Sequence, residues 1–217
     1  MLPTSNTVNV HWQTLYRTKA PTQLSWYQPH LTTSLRLLAM TGVGLEGQTI
    51  DVGGGASTFV DDCLERGFKD MTVLDLSSEA LKVAKERLGK QAGNVTWIEG
   101  DVTQDTLPSS AYDVWHDRAV FHFLADPQAR QRYVTAMHRA VKPGGHVIIA
   151  AFGPHGPPRC SGLDVVRYAP ETLQAEFGQG MFLTDSLSED HRTPFGTIQE
   201  FIYCHFRKMA GIPGKKG

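Results

Sequence analysis

The chain is poor in the residues that would mark an exported, metal-binding or membrane protein. Cysteine occurs three times in 217 residues, at Cys63, Cys160 and Cys204. The number is odd, the positions are far apart, and no CxxC or Cys/His ligand spacing occurs. That excludes a disulfide framework and a thiolate cluster, and predicts free thiols in a reducing cytoplasm with no metal centre. No apolar run approaches the roughly 18 residues of a membrane-spanning helix. The stretch MLPTSNTVNVHW lacks a basic flank followed by an apolar segment, so it does not read as a signal peptide. Excess charge is missing too: 21 Lys and Arg stand against 22 Asp and Glu, a net charge of −1. Nothing global then attracts nucleic acid or an anionic membrane, and neither is expected as a partner. The oligomeric state stays open.

What is present is an ordinary globular composition, 41% hydrophobic and 20% charged, with length for one full core. From residue 48 onward, short apolar runs alternate with helical periods. TIDVG (49–53) reads as a strand, STFVDDCLERG (57–67) as a helix, and MTVLDL (71–76) as a second strand. SSEALKVAKERLG (77–89) is an amphipathic helix, capped by Ser77 or Ser78 and ended by Gly89. VTWIEGD (95–101) and YDVWHDRA (112–119) supply two more strands. PQARQRYVTAMHRAVKPGG (127–145) reads as a helix stopped by Pro143 and two glycines, before a fifth strand, HVIIAAF (146–152). Strand and helix in alternation imply βαβ units and a parallel sheet with helices on both faces. The end departs from this. GMFLTDSLSED (180–190) and GTIQEFIYCHF (196–206) are strand-like with no long helix between them, so they should pair antiparallel. The expected organisation is a single domain. Residues 1–45 form an N-terminal helical lid, 46–152 a cofactor-binding half, 153–208 an acceptor loop with antiparallel strands, and 209–217 a flexible tail.

The chemistry starts at DVGGGAS. A loop leaving the carboxyl end of the first strand sits where open α/β sheets bind ligands, and glycine lets backbone N–H groups approach them. A dinucleotide fold wants G-x-G-x-x-G. Gly53 and Gly55 supply G-x-G, but Thr58 holds the third glycine's place. An S-adenosylmethionine site needs only D-x-G-x-G, beginning here at Asp51. The plain alternative is a tight strand–helix turn. Asp75 ends the second strand, 75 − 53 = 22 residues after Gly53, where a carboxylate can accept both ribose hydroxyls. NAD proteins use the same device. Asp101 ends the third strand, where it can meet an adenine amine with Val102 against the ring, or simply cap the turn VTQDT.

Together these segments resemble the class I S-adenosylmethionine (SAM)-dependent methyltransferases. Residues 49–152 carry DVGGGAS, VLDLS, EGDV, YDVWHDRAVFHFL and AVKPGGHVIIA in the family's order and at its separations. The N-terminal HW…Y…SWY and the later CSGLDVVRY and HRTPFG resemble a bacterial small-molecule subgroup. The resemblance implies a Rossmann-like seven-stranded, mostly parallel sheet with an antiparallel last strand and helices on both faces. It also implies SAM as cofactor and S-adenosylhomocysteine (SAH) as product. By it, Asp51, Gly53 and Gly55 flank the methionine moiety. Asp75 and Leu76 hold the ribose, Asp101 and Val102 hold the adenine, and His116 passes near the sulfonium. Trp12, Tyr16 and Trp26 form an aromatic lid over the cation.

Methyl transfer needs an aligned acceptor, no water and, where the acceptor carries a proton, a base. WHDRAVFHFL offers Asp117, Arg118 and His122 as catalytic candidates. Against this, Asp117 and Arg118 could be a simple ion pair, and His122, between two phenylalanines, a packed core histidine. The Gly/Pro-rich loop 153–168 should hold the acceptor with His155, Arg159, Cys160 and Arg167. His191 and Arg192 sit on the last hairpin turn, facing either acceptor or solvent. A pocket of His, Arg and aromatics suits a small, soft or anionic acceptor, with S-methylation of a thiol or sulfide as the leading expectation. Protein-lysine N-methylation is the first alternative. An NAD-dependent oxidoreductase and a non-catalytic SAM-binding module follow it.

Overall fold

Strands with apolar residues at successive positions need cover on both faces, and helices on either side of the sheet provide it. A computed structural model of the chain, described for residues 5–210, has nine strands. They are β1 (Thr49–Val52), β2 (Met71–Asp75), β3 (Val95–Glu99), β4 (Tyr112–Arg118), β5 (Val141–Phe152), β6 (Arg159–Cys160), β7 (Leu163–Asp164), β8 (Met181–Arg192) and β9 (Ile198–Lys208). Seven of them form the main sheet, in the order β3-β2-β1-β4-β5-β9-β8. The first five pair parallel. β9 inserts antiparallel between β5 and β8, as expected for the last strand. Six helices complete the described fold: α1 (Ser5–Thr18), α2 (Thr32–Met40), α3 (Phe59–Glu65), α4 (Ser78–Leu88), α5 (Pro127–Ala140) and α6 (Pro170–Phe177). The chain therefore has the Rossmann-like fold anticipated for it. Apart from Met209 and Ala210, the expected tail lies outside the described residues.

The period-2 alternation of β5 shows how the two faces are filled. Val147, Ile149 and Ala151 join a core with Trp115, Tyr133, Met137 and Phe177. Ile148, Ala150 and Phe152 join another with Phe59, Leu81, Leu38 and Phe201. Local signals fix the helix starts. The Ser77 side chain accepts from the Ala80 N–H and opens α4, and Asp126 accepts from Gln128 and Ala129 ahead of Pro127 in α5. All three cysteines are buried and unpaired, and no described helix is long and apolar enough to cross a membrane.

Three segments differ from the sequence reading. The helix expected to run to residue 145 stops at Ala140, and KPGG lies in β5. Pro143 is tolerated there because the β4–β5 ladder slips between Tyr112↔Val141 and Val114↔His146, leaving a bulge that needs no proline N–H. The loop 153–168 is not structureless: β6 and β7 form a small hairpin across Ser161 and Gly162, both at positive φ. And α6 has no counterpart in the sequence reading, because its buried residues, Leu173 and Phe177, give one short apolar stripe.

β4 leads into a strained residue. Ala119 has φ +77° while its N–H donates to the Ala150 carbonyl at 2.8 Å. A left-handed alanine costs about 1 kcal/mol or more. Ala119→Gly should therefore raise stability by about 1 kcal/mol, read as a higher urea midpoint at unchanged m-value. An unchanged midpoint would mean the strain is not real.

Candidate active site

The glycine loop is shaped by two carboxylates rather than by a phosphate. Gly53 has φ +69°, and its N–H donates to the Leu74 carbonyl at 2.7 Å, turning the chain off β1. A side chain on Gly54 would run into the Asp51 carboxylate, and one on Gly55 into the Asp75 carboxylate and Ala80. The middle glycine, which a G-x-G pattern leaves free, is thus required by the aspartate that precedes it. The Gly55 N–H donates to Asp75 Oδ2 at 3.0 Å, and the Ser77 N–H to Asp75 Oδ1 at 2.8 Å. Thr58, which weakens the dinucleotide pattern, donates its hydroxyl to the Gln28 carbonyl and pins the lid. Arg87 of α4 grips the far side of the loop through Asp61 and the carbonyls of Ala56 and Ser57.

Beside this loop lies a cavity of about 300 Å³, bordered by the ends of β1, β2, β3 and β4 and roofed by α1 and residues 21–31. Gly53, Asp75, Leu76, Asp101, Val102, Trp12, Tyr16 and Trp26 all line it. Trp12 packs edge-on to Trp26 at 5.9 Å and to Phe123 at 5.1 Å. Burial, and then the charge of Asp75, push the Tyr16 phenol well above its usual pKa, so it is a neutral neighbour. Burial pushes the Asp75 carboxyl up to about 6 despite its two backbone donors. A buried acid with no cation beside it calls for further donors. A pair of ribose hydroxyls meets that need, and the Gly53–Gly55 cradle leaves room beside it. Asp101 lines the cavity but also caps its turn, accepting from the Thr103 N–H and hydroxyl and from Gln104 Nε2. The residues present fit a nucleoside ligand of the SAM type.

The end of β4 and the turn that follows it divide their residues between cavity and core, against several sequence expectations. Asp51, Gly55 and His116 do not line the cavity; the Gly55 N–H is spent on Asp75 instead. His116 is stacked on Phe59 at 3.9 Å, its Nδ1 bonds Asp51 Oδ1 at 2.7 Å, and its Nε2 meets Ser34 Oγ at 2.8 Å. His116 is therefore a buried link from β4 to α2, away from any sulfonium, because the strand's alternation turns it to the opposite face from Trp115. Asp51 keeps one buried oxygen without a protein partner. Asp117 also faces inward. Its carboxylate accepts from the Val120 and Phe121 N–H groups and from Tyr133 Oη at 2.5 Å, holding the short 3₁₀ turn of Phe121–Phe123 in place. It makes no pair with Arg118 and does not line the cavity, against the catalytic place expected for it.

Arg118 and His122 do line the cavity. Arg118 Nε donates to Tyr203 Oη at 2.9 Å, Nη1 to the Trp26 carbonyl at 2.8 Å, and the guanidinium lies over Phe201 at 4.6 Å. His122 Nδ1 accepts the Phe152 N–H at 3.1 Å, so the ring proton sits on Nε2. Burial, and then the Arg118 charge, press its pKa down to about 3. With one nitrogen occupied and the other already protonated, His122 offers the cavity a hydrogen-bond donor rather than a free acceptor nitrogen. Of the expected acceptor-loop residues only Cys160 lines the cavity. Arg159 pairs with Asp164, and Arg167 bonds the Pro154 and Gly156 carbonyls.

His191 is not at the surface. It donates from Nε2 to the Ser25 carbonyl at 2.7 Å and accepts from Gln28 at 3.1 Å, tying the last hairpin to the lid. Glu189 joins it through Gln28 and Thr33. Sequence reasoning misses Glu189, Phe201, Tyr203 and Gln13. Gln13 Oε1 accepts from Ser77 Oγ and the Glu79 N–H, docking α1 on the start of α4. Only the strand pattern of β9 hints at any of them, since Phe201 and Tyr203 alternate onto one face.

Comparison with known proteins agrees with this geometry. Residues 50–149 match the family described as methyltransferase domain. The chain is 29% identical over 158 residues to the ubiquinone biosynthesis O-methyltransferase of Pectobacterium atrosepticum, covering 68% of this chain and 64% of that protein. It is 20% identical over 164 residues to mouse EEF1A lysine methyltransferase 2, covering 69% and 67%. It thus spans about two thirds of the length of these curated relatives. Among solved structures, one describes conversion of a disulfide bond into a thioacetal group during echinomycin biosynthesis. It superposes at TM-score 0.76 with 18% identity, covering 95% and 94% of the two chains. Another is Burkholderia thailandensis 1,6-didemethyltoxoflavin-N1-methyltransferase with bound 1,6-didemethyltoxoflavin and SAH, at TM-score 0.68, 18% identity and 96% and 92% coverage. Fold, glycine loop and strand-end acids define the class: residues 50–149 form a methyltransferase domain on the nucleoside-binding α/β scaffold. More particularly, the stretch is similar to SAM-dependent methyltransferases in sequence, and the whole chain shares their fold.

The two acids after the strands can be tested separately. Only ionised Asp75 can accept from two hydroxyls, and its pKa near 6 means protonation as the pH falls below 6. SAH affinity should drop about tenfold between pH 7 and pH 5, measured by calorimetry. A flat profile would remove Asp75 from the ribose. Asp117→Asn supplies one acceptor oxygen where three donors converge. It should cost about 2 to 3 kcal/mol in urea unfolding, whereas a loss of turnover at unchanged stability would return Asp117 to catalysis.

Proposed function

We propose that this protein transfers the methyl group of SAM to a small molecule held at the inner end of the cavity, and that the acceptor atom is the sulfur of a thiol or sulfide. SAM supplies an electrophilic methyl on a sulfonium. The chain's part is to hold the nucleoside at Asp75, with Leu76, Asp101 and Val102 beside it, to exclude water with the Trp12, Tyr16 and Trp26 lid, and to align the acceptor.

The observation that carries the reading is the want of a base. Among the described residues lining the cavity the carboxylates are Asp75, Asp101 and Asp126, each already accepting from backbone N–H groups. The inner end is made of Phe152, Phe201, Trp26, Cys160, Arg118 and His122. His122 has no free acceptor nitrogen. The nucleophile must then arrive with its lone pair available. A thiol does so once ionised, and the nearby guanidinium of Arg118 favours the thiolate. The same cation opposes a lysine ammonium, which also needs a base to lose its proton. That disfavours the protein-lysine alternative, although a lysine methyltransferase is among the similar proteins. The structure concerned with converting a disulfide into a thioacetal is an instance of sulfur chemistry on this fold.

The test has two stages. SAM and SAH should raise the melting temperature while NAD leaves it unchanged; the reverse pattern would make the chain an oxidoreductase. Methyl-labelled SAM should then label sulfide or small thiols in preference to amines, carboxylates, phenols and lysine peptides. Label appearing only in lysine peptides would overturn the sulfur assignment, and cofactor binding with no labelled acceptor in the panel would support a non-catalytic binding module.

A further inference from the structure

At the inner end of the cavity two hydrogen-bond donors point at nothing. Arg118 Nη2 and His122 Nε2 are both shielded from solvent and lack a partner in the protein. His122 is fully buried, and its tautomer is fixed by the Phe152 N–H on the other nitrogen. Arg118 is held equally firmly, by Tyr203 Oη, the Trp26 carbonyl and the face of Phe201. His122 lies near that same ring, with its centroid 6.4 Å from Phe201 and 4.5 Å from Phe152. Glu189, the nearest acid by chain of contacts, is engaged by Gln28, Thr33 and Tyr203. Among the described residues no carboxylate is bonded to Arg118, whose side-chain partners are a phenol and a carbonyl. An unneutralised guanidinium and an orphaned imidazole N–H, both set in one apolar wall, are costly for the protein alone. They suit a ligand that brings the missing acceptors.

We infer that Arg118 Nη2 and His122 Nε2–H form a two-donor subsite for a singly charged anionic head, carboxylate or thiolate, on a small acceptor with an apolar body. The inference rests on the reading of the cavity as a methyl-acceptor site and adds the charge state in which the acceptor binds. Arg118 supplies the compensating charge, and neutral His122 supplies direction. Phe152, Phe201 and Trp26 cover the apolar body. Because a rigid guanidinium and a fixed tautomer need no reorganisation, the subsite discriminates an anion from its neutral isostere more than it binds either tightly.

The experiment is calorimetry on the SAH-saturated protein with two matched pairs of probes: benzoate against benzamide, and thiophenolate against thioanisole. At least one anion should bind about tenfold or more tighter than its neutral partner, since charge-assisted hydrogen bonds carry that much discrimination. Preference within the first pair alone identifies a carboxylate head, within the second alone a thiolate, and in both a subsite that accepts either. His122→Phe and Arg118→Met should each cut the preference below about threefold, while His122→Gln, which retains an N–H donor, should keep most of it. SAH affinity, measured alongside, reports whether each variant still folds and closes; Arg118→Met also loses the bond to the Trp26 carbonyl, so His122→Phe is the decisive variant if SAH binding is lost in the other. Neutral probes binding as well as the anions, a preference that survives His122→Phe, or no probe binding at millimolar concentration would overturn the subsite. Failure of SAH to bind the unaltered protein would instead overturn the methyltransferase reading itself.

Discussion

Two buried carboxylates wedged against two adjacent glycines are the constraint on which the rest of the site depends. Asp51 and Asp75 occupy the space that side chains on Gly54 and Gly55 would need. Neither acid has a lysine or arginine for a partner, so each must be satisfied by hydrogen bonds. The molecule meets this by bringing distant pieces together. For Asp75 the donors are the N–H groups of the loop and of the start of α4. For Asp51 the donor is His116, itself held by Ser34 of α2. The loop, the first helix after β2 and the helix behind the lid are thereby fixed around one corner of the sheet.

The lid follows from the same need to satisfy polar groups. α1 docks on the exposed start of α4 through Gln13, which takes up donors that a helix N-terminus leaves free. Within residues 24–28, the carbonyls of Ser25, Trp26 and Gln28 are claimed by His191, Arg118 and Thr58. The aromatic rings are thus held over the cavity by backbone anchors that come from three separate elements. Hydrophobic packing fills the roof, and hydrogen bonding sets its position.

Much of this is legible in the residues, and the misses have physical causes. The alternation of buried runs and amphipathic helices locates every strand of the main sheet, because burial on both faces leaves a continuous apolar run that composition alone reveals. The helix end at Ala140 escapes the sequence because Pro143 and the glycines look like a stop signal, when a bulge in the β4–β5 ladder accommodates them within the strand. The strand-end acids are legible because their spacing from the glycines follows the βαβ repeat. His116, Asp117, Arg118 and His122 read as one group of site candidates, yet strand alternation and one tight turn send His116 and Asp117 to the core and Arg118 and His122 to the cavity.

By itself the sequence determined the sheet, the direction of its last strand, the ligand loop and the acid that faces it. These depend on contacts between near neighbours or on periodicity, and both are written in residue order. Only the tertiary structure decided which nitrogen of His122 carries a proton, that Arg118 leaves one donor free, and that Gly54 is needed for Asp51. The first two turn on atoms brought together from β4, β5, β9 and the lid, tens of residues apart, and the third on the direction in which the Asp51 side chain points. A hydrogen bond is set by the direction of its lone pairs and protons, and no spacing along the chain records that direction.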